Sequence, residues 1–140
     1  MRVVIVEDSR LARLELCEQL SQLPNVTLVG QADTVESATA LIDEVQPDLI
    51  LLDIDLPGGT GFDLLEQLEV LPKVVFTTAF DEFAVRSFEV DALDYLLKPI
   101  TLPRLTKAME KARAQLTAQE AVTTESRLHG DSQLFLKEGE

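Results

Sequence analysis

Five short apolar runs punctuate the chain: Val3 to Val6, Val26 to Val29, Leu49 to Leu52, Val74 to Phe76 and Leu93 to Leu97. They lack the regular alternation of a strand with one wet face, so they read as parallel strands covered by helices on both sides. Helical patterns fill the intervals. Ala12, Leu16, Leu20 and Leu23 share one face of a first helix that ends before Pro24, and Ala38, Leu41, Ile42 and Val45 follow Thr34, a suitable N-cap. Phe62, Leu65 and Leu68, then Ala84 and Phe88, then Leu105, Met109, Ala112 and Leu116 mark three more. Strands alternating with helices five times predict a doubly wound α/β domain with a five-stranded parallel sheet and five helices, because right-handed crossovers make successive strands parallel. The order 2-1-3-4-5 sets strands 1 and 3 side by side at the switch point, where ligands bind in such sheets.

Four of the five runs end in residues that carry chemistry. Glu7 and Asp8 follow the first, Asp53 ends the third, Thr77-Thr78-Ala79 ends the fourth and Lys98-Pro99 the fifth. The carboxyl ends of parallel strands line one crevice, so these residues converge. Singly, each has an ordinary reading: Asp53 as a turn residue, Asp8 or Ser9 as the cap of the first helix, Thr78 as a strand former, Lys98 as a surface lysine. Together they make a pocket of acids that repel one another unless a cation is present. A hard divalent ion with oxygen ligands and retained waters resolves the conflict, and Mg2+ is the expected one. Lys98 adds a compact positive charge suited to phosphate oxygens, and Pro99 permits a cis bond that would aim it back over the sheet. The Thr78 hydroxyl can donate to a bound phosphoryl oxygen. Pro57 with Gly58, Gly59 and Gly61 marks a tight turn, and matches neither a Rossmann nor a P-loop fingerprint.

Composition narrows the classes. At 140 residues the chain is one domain's worth, and its net charge of -13 argues against nucleic-acid binding by this segment, which needs Lys and Arg against phosphates. Cys17 is the single cysteine, without a CxxC or histidine partner, so it reads as a packing residue; His129 is alone in a polar stretch. The chain enters a strand at once and has no apolar run near twenty residues, which points to a cytoplasmic protein with no membrane contact.

With these residues in place, the chain closely resembles the receiver domain of two-component response regulators, a flavodoxin-like fold, over residues 1 to 118. The resemblance implies that Asp53 is the phosphoacceptor for a sensor histidine kinase. It implies that Asp8, Asp53 and the backbone carbonyl of Asp55 hold Mg2+, with Glu7 holding its waters. Thr78, Ala79 and Lys98 would contact the phosphoryl group, Thr78 and Tyr95 would form the switch, and Pro57, Gly61 and Pro99 would set the turn and the lysine. The role is regulatory rather than enzymatic, apart from assisting its own phosphotransfer and dephosphorylation. Gly59 stands where the family often has a larger apolar residue.

Residues 76 to 100, from Phe76 to Ile100, resemble the LytTR subgroup, whose members carry a carboxyl-terminal DNA-binding domain. Leu134 to Glu140 is similar to the opening strand of that domain. The expected organisation is therefore a receiver at 1–118, a polar linker at 119–133 and the start of a truncated DNA-binding domain at 134–140, with the tail either extending the last helix as a stalk or pairing with another molecule. DNA would be bound only through that missing domain. A homodimer is expected on phosphorylation, through the face of the fourth helix, fifth strand and fifth helix that carries Phe83, Val85, Arg86, Tyr95, Arg104 and Lys107. Two rival readings are a haloacid-dehalogenase-like phosphatase, with Asp53 as nucleophile and Asp55 as acid, and a pseudo-receiver that is never phosphorylated. The first leaves Glu7 and Asp8 without a role; the second leaves the whole set of acids, Thr78 and Lys98 idle.

Overall fold

A computed structural model of the chain describes residues 1–80 and 91–130, with side chains as far as residue 118. The elements run β1 (Arg2–Val6), α1 (Arg10–Ser21), β2 (Thr27–Ala32), α2 (Val35–Val45), β3 (Leu49–Asp53), β4 (Asp55–Leu56), β5 (Gly59–Thr60), α3 (Gly61–Gln67), β6 (Lys73–Thr78), β7 (Asp94–Leu97) and α4 (Leu102–Gly130). The main sheet has the order β2-β1-β3-β6-β7 with every pair parallel. Setting aside the two-residue strands β4 and β5, this is the expected order 2-1-3-4-5. Four helices lie among the described residues. The expected fourth of five, with Ala84 and Phe88, falls outside them, as do Phe83, Val85 and Arg86 of the expected dimer face.

The two central strands are buried on both faces: Val3 to Val6 and Leu49 to Leu52 have no accessible surface. Each such side chain contributes about 1.5–3 kcal/mol relative to exposure, so the middle of the sheet is its firmest part. Val4, Val6, Ile50, Leu52, Val74 and Phe76 form one core with Ala38 and Ile42 of α2 and Phe62 and Leu65 of α3. Alternate residues of the same strands point to the opposite face. The edge strand β2 starts and ends later than its apolar run suggests, taking in Gly30, Gln31 and Ala32 in register with Val4, Ile5 and Val6.

Caps fix where the helices begin. Ser9 takes the N-cap of α1, its side chain accepting from the Ala12 N–H, which leaves the exposed Asp8 carboxylate uncommitted to that task. Thr34 and Ser37 form a capping box for α2, and Thr60 and Asp63 one for α3. The turn after β3 folds into the small antiparallel ladder of β4 and β5. Gly61 is required at its end, because a Cβ there would lie 2.8 Å from the Asp53 carbonyl oxygen. At Gly59, with φ of +152°, a Cβ would meet the capping Asp63 carboxylate at 2.8 Å, so a larger residue at this position would have to displace that cap.

The chain divides into two units, Met1–Ala108 and Met109–Glu140. The first holds the sheet. The second holds the helical stretch of α4 up to Gly130, which includes most of the segment read as a polar linker. No helix among the described residues is long and apolar enough to cross a membrane.

Candidate functional site

Three strand ends deliver the acids and the lysine to one place. Asp53 is the last residue of β3 and only 3% exposed, and Glu7, just past β1, is fully buried. β1 and β3 are direct neighbours, with Val6 opposite Leu52, which sets Glu7 and Asp8 beside Asp53. Carboxylate oxygens of Glu7, Asp8 and Asp53 all lie within 4.8 Å of one another.

Lys98 closes the cluster from the far edge. Its main-chain N–H donates to the Thr78 carbonyl at 2.7 Å, continuing the β6–β7 ladder past Leu97. Its ammonium lies 2.6 Å from Glu7 Oε1 and 3.2 Å from Asp53 Oδ2, with the side chain 25% exposed. The Lys98–Pro99 peptide bond is cis. The second Glu7 oxygen accepts from the Ser9 N–H at 3.0 Å, and Asp53 Oδ1 accepts from the Asp55 N–H at 3.2 Å.

These contacts decide the charge states. Burial raises the Asp53 pKa and the negative charge of Glu7 raises it further; Lys98 offsets only part, and the carboxyl is pushed up to about 7. Burial also works against the Glu7 charge, but the hydrogen bonds from Lys98 and from the Ser9 amide outweigh it and hold Glu7 below the ordinary carboxylate range. Burial disfavours the Lys98 charge as well, yet Glu7 and Asp53 raise its pKa overall. Two of the three acids, Glu7 and Asp53, thus share one lysine ammonium. Three convergent hard oxygen donors with an excess of negative charge, one of them exposed on Asp8, suit a divalent cation such as Mg2+ that keeps several waters.

Thr78 and Tyr95, the expected switch residues, are joined through Phe80. Thr78, buried at the end of β6, accepts at Oγ1 from the Phe80 N–H at 3.1 Å, and the Tyr95 hydroxyl donates to the Phe80 carbonyl. Ala79 lies between them, exposed. Pro57 and Asp55 are exposed on the turn over the site, with Gly61 buried at its base. Arg104, expected on an output face, is engaged in a two-point pair with Asp94, at 2.9 and 2.7 Å.

Two contacts near the site carry no motif. Arg13 Nη1 donates to the Glu7 carbonyl at 2.8 Å, and Gln19 Nε2 donates to the Ile100 carbonyl at 3.0 Å. Their only sequence signal is a position on the first helix, on the turns that face the strand ends.

Comparison with known proteins bears on the family and the fold. The sequence profile of the response regulator receiver domain matches residues 3–110. An uncharacterized response regulatory protein of Shewanella oneidensis is 44% identical over 118 residues, covering 83% of this chain and 50% of that protein. The sensory transduction protein LytT of Bacillus subtilis is 39% identical over 144 residues, covering all of this chain and 59% of LytT. The chain therefore spans about half to three fifths of the length of these curated relatives. Among solved structures, the response regulatory domain of MrkE from Klebsiella pneumoniae superposes with a TM-score of 0.75 at 34% identity, over 82% of this chain and 97% of that one. The profile match over most of the chain, the LytT-type relatives and the shared sheet order establish that this chain belongs to the response regulator receiver domain family.

Proposed function

We propose that Asp53 is the phosphoacceptor of this receiver and that the partner supplying the phosphoryl group is a sensor histidine kinase. The observation that carries the reading is a nearly buried carboxylate held between a lysine ammonium at 3.2 Å and two further acids. An Asp53 oxygen attacks the phosphorus of a phosphohistidine; the new O–P bond forms as the N–P bond breaks, and the histidine nitrogen leaves with the electron pair. Lys98 offers a positive charge where phosphoryl oxygens accumulate, and the Thr78 hydroxyl and Ala79 amide offer hydrogen bonds. When bound through Asp8, Asp53, the Asp55 carbonyl and a water on Glu7, Mg2+ supplies charge that favours ionised Asp53 and offsets the incoming anion.

Drawing Thr78 toward the phosphoryl group would break its bond with Phe80 and so loosen the residue that also holds Tyr95. That gives the switch a mechanical link, with a two-state equilibrium biased by the new contacts. The receiver spans 1–118 on this reading, and 119–133 leads to a DNA-binding domain that begins near 134. Output is transcriptional, with self-association through the face that carries Tyr95, Arg104 and Lys107, and beryllofluoride should promote it. The assignment is tested by treating the chain with acetyl phosphate and Mg2+, reducing the acyl phosphate with borohydride and mapping the peptides. Homoserine at position 53 is expected; a product at Asp8 or Asp55 instead would move the acceptor.

A further inference from the structure

Lys98 is held from two directions, and the two differ in strength. On its amino side the chain is locked into the sheet by the Lys98 N–H to Thr78 carbonyl bond. On its carboxyl side, Pro99 and Ile100 form a strap to Thr101, whose hydroxyl and carbonyl accept from the Arg104 and Leu105 N–H groups in the first turn of α4. Behind the strap lies a cavity of about 310 Å3, lined among others by Glu7, by Ala12, Leu16 and Gln19 of α1 and by Lys98, Pro99 and Ile100. The strap is therefore not seated on packed side chains along this wall. Among the described residues, one hydrogen bond crosses from α1 to residues 98–101, from Gln19 Nε2 to the Ile100 carbonyl.

Gln19 makes that bond with one atom of its amide. Its other amide atom, Oε1, is buried with no hydrogen-bond partner among the described residues. An apolar side chain would cover this half-buried face of α1 equally well, so packing alone does not call for an amide. The amide is thus poorly explained as packing and well explained as a tether.

We infer that Gln19 is a positioning residue for Lys98: by fixing the Ile100 carbonyl across the cavity, it holds the strap, and with it the ammonium, in place for phosphoryl transfer to Asp53. The inference rests on the reading of Asp53 and Lys98 given above. Among the described residues no hydrogen bond links Gln19 to Glu7, Asp8 or Asp53, so its loss should change the rate of transfer while leaving cation binding alone.

The test is the rate of Asp53 phosphorylation by acetyl phosphate at saturating Mg2+, with Mg2+ affinity measured separately by calorimetry. Gln19→Met, which keeps the length of the side chain and removes the donor, should slow transfer about three- to tenfold, the worth of one hydrogen bond. Gln19→Glu, which keeps the shape but not the donor, should act in the same direction. Mg2+ affinity should stay within about twofold of wild type. In a Lys98→Ala background, Gln19→Met should have no further effect, because its action passes through Lys98. Wild-type rates in both Gln19 variants, a parallel loss of Mg2+ affinity, or an undiminished effect on top of Lys98→Ala would each overturn the inference. A wild-type chain that takes up no phosphoryl group would overturn the Asp53 reading together with this one; a normal wild type with unaffected variants overturns this one alone.

Discussion

The two walls of the site are built differently. The acid wall stands on β1 and β3, the middle of the sheet, where the strand residues before Glu7 and Asp53 have no accessible surface. The lysine wall stands on β7, a four-residue edge strand whose last residue, Leu97, is 48% exposed, and continues into a strap with a cavity behind it. Acids that must stay together despite their repulsion are held by the core; the lysine that answers them is held by ion pairs and a few hydrogen bonds. One half of the pocket is rigid by packing and the other is adjustable. That division suits the proposed role, in which the acids stay in place while a phosphoryl group comes and goes.

The largest expected effect separates the walls by stability. Leu51→Ala, in the middle of β3, should cost about 2–5 kcal/mol in urea unfolding, the usual range for a buried leucine. Leu97→Ala on the lysine wall should cost less than about 1 kcal/mol. Equal losses would mean that the edge is as firmly built as the centre.

Charge gives the second way to break the comparison. The folded Asp53 carboxyl titrates near 7 against an ordinary value of 3.8, so the folded state binds its proton more tightly than the unfolded chain. The cost of ionising it is absent below pH 3.8, grows through the interval and is complete above 7. With metal chelated, Asp53→Asn should therefore stabilise the domain by roughly 2–4 kcal/mol at pH 8 and progressively less toward pH 4. A variant no more stable than wild type at pH 8 would show that Lys98 already balances the acid wall.

A smaller effect is expected at the lysine. Lys98→Met leaves Glu7 buried without its ammonium partner, and should cost roughly 1–3 kcal/mol at neutral pH, less than a fully buried pair because part of the lysine faces water. Glu7 has a lowered pKa in the folded state, so this contribution is present above its ordinary 4.5 and is lost as pH falls through the lowered value. Melting curves at pH 7 and pH 3.5 compare the two regimes; a loss that does not shrink in acid would assign the effect to packing.

What could be read from residues alone follows the same division. β1 and β3 announce themselves as unbroken apolar runs because both of their faces are buried. β2 is an edge strand with half-exposed residues, so Gly30 and Gln31 bear no apolar mark and its bounds were displaced. The β4–β5 ladder has two residues a side, too short for any period, and only its glycines signalled a turn. Beyond Leu116 the apolar spacing fades, yet α4 continues, because periodicity reports which face is covered and not whether the backbone is helical. Asp8, Asp53, Thr78 and Lys98 were legible through their order at strand ends. Gln19 and Arg13 were not: each bonds a distant or turned-back carbonyl, and a backbone acceptor has no letter in the sequence.

The most direct measurement is the intact mass of the chain after acetyl phosphate, with Mg2+ and with chelator, for wild type and Asp53→Asn. A single phosphoryl adduct on wild type with Mg2+, strongly reduced by chelation and absent from Asp53→Asn, is the expected result. An adduct on Asp53→Asn at the wild-type level, or one indifferent to chelation, would contradict the claim that Asp53 within this acid cluster is the group that accepts the phosphoryl.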